Sequence, residues 1–247
     1  MTQQTAPGAR AWQHVLQRIE SRLLDGSLTP GDHLPPEREL AAELGVGRSS
    51  VREAIRVLEG FGLVRTQTGS GPSAGAIIIA TPGGGMSALM RLQVAAQGFP
   101  VTDIVRTRLL IETAVAAELA ADQQRELSAA HALLDAMDDP GLTPSEFLTL
   151  DAQFHASLAE ATGNVVVVAM MSGLRTAIEG YALAAVPEFP DWEREVAQLR
   201  AEHRGIVTAI ESGEVVRART RVHEHVAGYY LRSRMGDQHS IPRAVSF

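Results

Sequence analysis

The sequence contains no cysteine, no lysine and no long hydrophobic run. Without cysteine, the chain forms no disulfide bonds and performs no thiol chemistry. The longest apolar run, Val165–Met171, is far too short for a membrane-spanning helix, which needs about 20 residues. We therefore expect a soluble cytoplasmic protein. All 22 basic residues are arginines, which suits two-pronged hydrogen bonding, although genomic base composition produces the same bias.

A glycine-rich segment divides the chain about one third of the way along. With 247 residues, the chain is long enough for two domains, each with its own core. Residues 81–85 read Thr-Pro-Gly-Gly-Gly, which is the composition of a flexible linker. We predict a disordered N-terminus over 1–9, a first domain over 10–80, a second domain over 86–234 and a C-terminal tail over 235–247.

The stretch Leu34–Leu63 has the pattern of two short helices joined by a tight turn. Glu37–Leu44 repeats apolar residues four apart, and Gly45 follows as a helix C-cap. After a two-residue turn, a second helix begins around Arg48–Ser50, where a serine hydroxyl can cap the free backbone N–H groups. The apolar stripe of this second helix consists of Val51, Ala54, Ile55 and Leu58.

The N-terminal end of the second helix is polar and positively charged. It carries Arg48, Ser49, Ser50 and Arg52. In a helix-turn-helix protein this end enters the DNA major groove, where arginine binds guanine or phosphate and serine adds phosphate contacts. The alternative is a structural hairpin with a solvated charged face, and the spacing alone does not decide between the two.

Two β-prone runs follow the second helix. Leu63–Gln67 and Ala76–Ala80 flank a tip over Thr68–Gly75 that is rich in Gly, Ser and Pro. This pattern predicts a β-hairpin whose tip lies along the minor groove or the DNA backbone. A further helix is predicted over Arg10–Asp25, so the first domain reads as a winged helix-turn-helix of three helices plus a hairpin.

The motifs of the first domain resemble the winged helix of GntR-family bacterial transcription regulators. The resemblance rests on residues 24–41, LDGSLTPGDHLPPERELA, and on residues 51–59, VREAIRVLE. It implies operator contacts by Arg38, Arg48, Ser49, Ser50, Arg52, Thr68 and Gly69. Two features depart from the family pattern. Gly47 stands where the family often has Ser or Thr, and the wing between Gly69 and Ala76 is longer than the compact form.

Charge is divided unevenly along the chain. The net formal charge is −7, yet up to Ala80 eight arginines balance eight acidic residues, so the excess of acid belongs to the later part. A neutral domain binds DNA when its arginines share one face. Its non-specific affinity is then modest, and two copies of the domain supply the strength.

The chain from Met86 onward has helical periodicity and lacks a convincing alternating strand. Val165–Val168 is assigned to a buried helix, because the pattern of Leu174, Ile178 and Tyr181 continues it. The predicted helices cover 86–97, 102–121, 123–138, 144–162, 164–184, 191–212 and 214–234. Seven helices with short connections predict an antiparallel bundle, so the fold class of the whole chain is mainly α.

Three histidines and an aspartate lie on the inward faces of three of these helices. Asp151 and His155 are four residues apart and therefore point the same way. His203 and His225 each lie within an apolar stripe. Imidazole and carboxylate groups between facing helices are a familiar ligand set for zinc and other first-row divalent ions. The alternative for any single histidine is a hydrogen-bonded core residue.

The second domain resembles the FCD ligand-binding domain of the FadR subfamily of GntR regulators. The motifs that carry the resemblance are Asp151–His155, Glu202-His203, His225, Thr162–Asn164 and Arg108 with Glu112. The resemblance implies that Asp151, His155, His203 and His225 bind a divalent metal, with zinc as the first expectation and manganese or nickel as alternatives. The open coordination positions would then accept a small carboxylate effector.

Two further residues acquire expected roles from the FCD resemblance. Arg108 is expected to pair with the effector carboxylate, and its alternative is an ion pair with Glu112 four residues along the same helix. Asn164 is expected to donate a hydrogen bond to the effector, and its alternative is a helix cap.

These features predict a DNA-binding transcriptional repressor that binds a near-palindromic operator as a homodimer and responds to the effector. In one alternative the metal itself is the signal, or only a structural staple. In another, the chain is a metalloenzyme whose ligands activate water. The helix-turn-helix would have no role in an enzyme, and we expect no catalytic residues.

Overall fold

The computed structural model describes residues 7–67, 75–79, 84–96 and 99–233. The chain separates into two compact units, Met1–Met86 and Ser87–Phe247. Each unit has a hydrophobic core of its own. Thr68 and Gly69, most of the predicted linker and the predicted C-terminal tail lie outside the described residues.

The first unit consists of three helices and a two-stranded sheet. Its elements are α1 (Pro7–Leu24), α2 (Glu37–Leu44), α3 (Arg48–Gly60), β1 (Val64–Gln67) and β2 (Gly75–Ile78). The strands pair antiparallel, with Val64 opposite Ile78 and Gln67 opposite Gly75. The predicted order of elements is therefore correct. The expectation of disorder over 1–9 is wrong for Pro7, because proline is well accommodated in a first helical turn and begins α1.

The hairpin is extended by a segment that the periodicity did not predict. Residues Gly31–Leu34 lie along β2, where the Leu34 N–H donates to Ala76 O at 2.8 Å and the Ile78 N–H donates to Asp32 O at 2.9 Å. The base of the wing is thus tied to the chain that enters α2.

The start of α3 differs from the predicted serine cap. Gly47 is the N-cap residue, and no side chain accepts a hydrogen bond there. The apolar stripe is as expected, with Val51, Ala54, Ile55 and Leu58 all buried. The N-terminal N–H groups of α3 consequently have no side-chain cap and are left for a ligand or water.

The secondary-structure elements among the described residues of the second unit are all helices. Its elements are α4 (Gly84–Ala95), α5 (Val101–Ala121), α6 (Ser128–Met137), α7 (Pro144–Ala161), α8 (Val165–Ala185), a 3₁₀ turn (Val186–Glu188), α9 (Trp192–Glu211) and α10 (Val215–Arg232). Helix α5 packs against α7, α8, α9 and α10 and so lies at the centre. The seven predicted helices are therefore present among the described residues, and α4 begins inside the predicted linker.

Two details of the bundle correct the sequence analysis. Residues 123–127, predicted as helix, form a loop before α6. Val165 and Val166 begin α8 as predicted, but they are 59% and 60% exposed rather than buried. Among the described residues no single helix is long and apolar enough to cross a membrane. The one bent pair that passes on length and composition, Val165–Arg175 with Ala177–Glu188, supplies core residues of the bundle.

Candidate metal centre and DNA-facing helix

Four potential metal ligands converge inside the second unit. Helix α7 supplies Asp151 and His155, α9 supplies His203, and α10 supplies His225. All four side chains are buried, and one ligand atom from each lies within 4.8 Å of the others. The structure thus brings together the set that the helical spacing predicted.

The separations between these atoms match the coordination sphere of a first-row metal. The Nε2 atoms of His155 and His225 are 3.1 Å apart, and those of His203 and His225 are 3.2 Å apart. His203 Nε2 is 3.0 Å from Asp151 Oδ1. Atoms bound to one ion at about 2.0–2.1 Å lie roughly 2.8–3.4 Å from each other at octahedral or tetrahedral angles.

Two carboxylates determine which histidine nitrogens face the centre. Glu112 Oε2 lies 2.7 Å from His155 Nδ1, and Glu202 Oε2 lies 2.8 Å from His225 Nδ1. When an imidazole donates its Nδ1–H to such a carboxylate, its Nε2 faces inward without a proton. If both rings do so, two nitrogen lone pairs face each other at 3.1 Å. A metal ion or a shared proton removes the repulsion between them, and the donor set fits a bound metal.

A buried arginine stabilises the first of these carboxylates. Arg108 Nε donates to Glu112 Oε1 at 2.6 Å, and Arg108 Nη1 donates to the Tyr181 hydroxyl at 2.8 Å. Burial raises the pKa of Glu112, but the positive charge of Arg108 and the hydrogen bonds from His155 and Arg108 outweigh it and lower the pKa to about 2. Glu112 is therefore ionised and able to accept the His155 proton in a hydrogen bond.

The other ligands are also in the protonation states that metal binding requires. Burial lowers the pKa of His225 to about 4, and it lowers the pKa of His203 as well. Burial raises the pKa of Asp151, but the contact with His203 and the two other nearby histidines outweigh it and hold that pKa well below its usual range. The shifts at His203, His225 and Asp151 thus favour neutral imidazole and charged carboxylate, the forms that bind a divalent ion.

A small cavity of about 10 Å³ adjoins the cluster. Glu112 and His155 form its polar side, and its other walls are apolar, including Val115, Leu158 and Met171. A cavity of this size holds about one water molecule. In this conformation the cavity beside the ligands is therefore the size of a single water molecule.

The two expected effector contacts have partners within the protein. Arg108 makes the predicted i,i+4 ion pair with Glu112, which was the alternative to an effector contact. Asn164 is exposed, and its Oδ1 accepts from the N–H groups of Val166 and Val167 as the N-cap of α8. The effector role of each residue stays a prediction.

Sequence reasoning gave Glu112 a role only as the alternative partner of Arg108, and it gave Glu202 none. Both belong to quoted motifs, but their hydrogen bonds to His155 and His225 join different helices, which a linear pattern does not show. A usable signal was present for Glu112. It lies on the same inward stripe of α5 as Val105, Val115 and Leu119, where an acidic residue needs a partner.

The described residues among the predicted DNA contacts lie at the N-terminal end of α3 and on α2. Arg38, Arg48, Ser49 and Arg52 are exposed, and Ser50 is partly buried. Arg52 Nη1 is 3.7 Å from Glu37 Oε2, a loose and exposed contact that leaves the guanidinium available. The structure does not describe the remaining two predicted contacts, Thr68 and Gly69.

Comparison with known proteins decides the family. Residues 12–72 match the gntR family of bacterial regulatory proteins, and residues 103–228 match the FCD domain. The chain belongs to the GntR family. The HTH-type transcriptional repressor NanR of Citrobacter rodentium is 33% identical to this GntR protein over 210 residues, which are 79% of this chain and 75% of the relative. NanR of Salmonella newport is also 33% identical, over 72% of this chain and 67% of the relative.

The solved structures agree with the fold. A GntR protein of Streptococcus agalactiae superposes with a TM-score of 0.60 at 24% identity, covering 90% of this chain and 98% of that chain. The winged helix-turn-helix and the FCD bundle are therefore confirmed. The protein is a DNA-binding transcriptional regulator. Its relatives are repressors rather than enzymes, which confirms that the metalloenzyme alternative is wrong.

Proposed function

We propose that this GntR regulator is a cytoplasmic repressor whose operator binding is controlled by a small carboxylate at a divalent-metal site in the FCD unit. The convergence of three imidazole Nε2 atoms and the Asp151 carboxylate in a buried space carries this proposal. The two NanR relatives are transcriptional repressors, which supports repression rather than activation by this protein.

The proposed metal ligands are Asp151, His155, His203 and His225. Imidazole and carboxylate donors favour zinc, and manganese or nickel would also accept this set. Four protein ligands leave positions of a five- or six-coordinate ion open. A bound ion would supply an attraction for carboxylate oxygens at those positions.

Arg108 is the proposed partner of the effector carboxylate. Its guanidinium is buried and donates to Glu112 Oε1, while the other oxygen of the Glu112 carboxylate contacts His155 Nδ1. An effector would share Arg108 with Glu112 and Tyr181, so its binding would alter the hydrogen bond that orients a metal ligand. Asn164 is a weaker candidate, because its Oδ1 is engaged in the cap and only its amide nitrogen remains to donate.

Operator binding is assigned to the exposed end of α3 together with α2 and the wing. In this proposal Arg48 and Arg52 contact base edges or phosphates, while Ser49, Ser50 and the helix N-terminus contact phosphates. Arg38 on α2 and the wing residues Thr68 and Gly69 complete the predicted contacts. A homodimer would place two such units on the halves of a near-palindromic operator.

Elemental analysis of three purified proteins tests the metal site. We expect near-stoichiometric metal in the wild type, little in His203→Ala, and the wild-type amount in His223→Ala. His223 is a matched control, because it lies on α10 two residues from His225 but outside the cluster. Metal-free wild-type protein after incubation with zinc, manganese and nickel would overturn the proposal.

Operator titrations then separate the effector from the metal as the signal. The small cavity favours a second candidate, in which the ion itself is sensed, since this cavity beside the cluster is the size of one water molecule. Operator affinity is measured with metal, with chelator, and with metal plus a panel of small carboxylates. A response to carboxylates that requires metal supports the first candidate. A response to chelator alone supports the second.

A further inference from the structure

Arg232, at the C-terminal end of α10, joins two carboxylates of α9. Its Nε and Nη2 donate to Glu195 Oε1 at 2.9 and 2.7 Å, and its Nη1 lies 3.3 Å from Glu202 Oε1. Glu195 is buried, at 6% exposure, so it requires this counter-charge. The guanidinium therefore links a structural carboxylate to one that contacts the proposed metal centre.

The position of the Arg232 guanidinium depends on a glycine in the preceding turn. A Cβ at Gly228 would lie 2.7 Å from Arg232 Nη1, closer than a Cβ atom approaches its non-bonded neighbours. Gly228 leaves the space in which the arginine folds back along α10. Since the clashing atom is the end of a flexible side chain, an added methyl group would move the guanidinium rather than the helix.

Glu202 is held at both oxygens. Its Oε1 accepts from Gln198 Nε2 at 2.8 Å and contacts Arg232, while its Oε2 lies 2.8 Å from His225 Nδ1. A carboxylate fixed at one oxygen cannot rotate away from the imidazole at the other. The His225 ring is thereby oriented so that Nε2 faces the Nε2 atoms of His155 and His203.

We propose that Arg232 is a positioning residue for the metal centre: it fixes Glu202, and Glu202 orients His225. This inference rests on the proposed metal site. Arg232 touches no candidate ligand in the contacts described here and acts only through the carboxylate. Outer carboxylate partners of ligating histidines typically contribute 10- to 100-fold in metal affinity, and Arg232 is the residue that secures one of them.

Competition titration of zinc against a chromophoric chelator tests this chain of contacts. We expect Arg232→Ala to weaken zinc binding about tenfold and Glu202→Gln to weaken it about 10- to 100-fold. The double variant should bind no more weakly than Glu202→Gln alone, because Arg232 acts through that carboxylate. Arg217→Ala is the control, since Arg217 is an exposed arginine of the same helix paired with Glu214. It should leave affinity unchanged.

Two milder variants cover the case in which Arg232→Ala does not fold. Arg232→Lys keeps a charge for Glu195 but cannot pair with both carboxylates, and Gly228→Ala displaces the guanidinium without removing a polar group. Each should weaken zinc binding severalfold and alter the visible spectrum of the cobalt-loaded protein. A change in folding stability alone would move neither readout.

The outcomes distinguish this inference from the proposed function. If wild-type protein binds no metal, the proposed metal site is wrong and the inference falls with it. If wild-type protein binds zinc and the folded Arg232 and Gly228 variants bind it equally well, only the inference is wrong. Equal weakening by Arg232→Ala in the wild-type and Glu202→Gln backgrounds would also overturn it, because Arg232 would then act independently of Glu202.

Discussion

Carboxylates outnumber guanidiniums around the histidine cluster. Its four carboxylates are Glu112, Asp151, Glu195 and Glu202, and its two guanidiniums are Arg108 and Arg232. With neutral imidazoles these described groups carry a net charge of −2. Uncompensated charge in a protein interior is costly. A divalent ion would cancel this charge and would also separate the facing nitrogen lone pairs.

The first prediction concerns Glu112, which serves both Arg108 and His155. Glu112→Gln keeps the shape of the side chain but removes the charge, so Arg108 is left without a buried counter-ion. We expect the free energy of unfolding to fall by about 3 kcal/mol and zinc affinity to fall about 10- to 100-fold. Chemical denaturation and chelator competition measure the two effects.

The control for this substitution is Glu179→Gln on α8. Glu179 also pairs with an arginine four residues away, Arg175, but that pair is partly exposed. It should contribute less than about 0.5 kcal/mol and nothing to zinc binding. A loss in Glu112→Gln no larger than in this control would contradict the assigned role of Glu112.

At the level of elements, the periodicity of the sequence predicted the helices and the hairpin. It did not predict the segments whose conformation depends on long-range contacts. The helices of both units and the hairpin follow from apolar spacing and Gly or Pro signals. The loop over 123–127 does not, because Arg125 leaves the helical pattern to donate to the distant Glu211 carbonyl. The pairing of Gly31–Leu34 with β2 is also a long-range contact.

The candidate site was also predictable only where local spacing determines it. Asp151 and His155 share a face by local spacing, so their convergence was predictable. The partners Glu112, Glu202 and Arg232 were not assigned, because each contacts a ligand or another partner on a different helix. Serine caps at α3 were predicted from residue type, but Gly47 occupies the cap position.

The second prediction concerns the start of α7, the helix that carries two ligands. Thr143 Oγ1 accepts from the Glu146 N–H, and the Glu146 carboxylate accepts from the Thr143 N–H, which is a capping box. Thr143→Ala should destabilise the second unit by about 1 kcal/mol. Ser145 is exposed in the first turn of α7. Ser145→Ala should be neutral or slightly stabilising, because alanine favours the helical conformation.

Fluorescence of Trp192 measures this difference during urea unfolding. Trp192 packs edge-on against Phe147 of α7, with ring centroids 6.2 Å apart. The chain has two tryptophans, so Trp12→Phe leaves Trp192 as the sole reporter. Equal midpoints for the Thr143 and Ser145 variants would show that the capping box does not stabilise the helix.

The third prediction concerns α3. Arg52→Ala should weaken binding to an operator selected from random duplexes by about 1–3 kcal/mol and relax sequence preference, since the side chain is exposed at the groove-facing end of the helix. Gel-shift titration at fixed salt measures the loss. Arg217→Ala removes an exposed arginine from the other unit and should have no effect. Unchanged affinity in Arg52→Ala would show that this end of α3 does not contact bases.

At the scale of the whole molecule, net charge differs between the DNA-binding part of the chain and the part that contains the histidine cluster. The part up to Ala80 is neutral overall, whereas the acidity lies in the part that contains the carboxylate-rich cluster. Several of those acids have assigned roles as ligands, as partners of histidines or as helix caps. The net charge of −7 is therefore no argument against DNA binding by the first unit.

The last prediction is that metal removal destabilises the second unit and spares the first. A ligand that binds only the folded state stabilises it by about 2.7 kcal/mol at a free concentration of 100 times its Kd. The cluster lies wholly within α7, α9 and α10, so this stabilisation belongs to the FCD unit. With Trp12→Phe, the melting transition reported by Trp192 should fall by several degrees on adding chelator. With Trp192→Phe, the transition reported by Trp12 should not move. In His203→Ala, chelator should shift neither transition, and a chelator shift that survives this substitution would place the responsible metal outside the cluster.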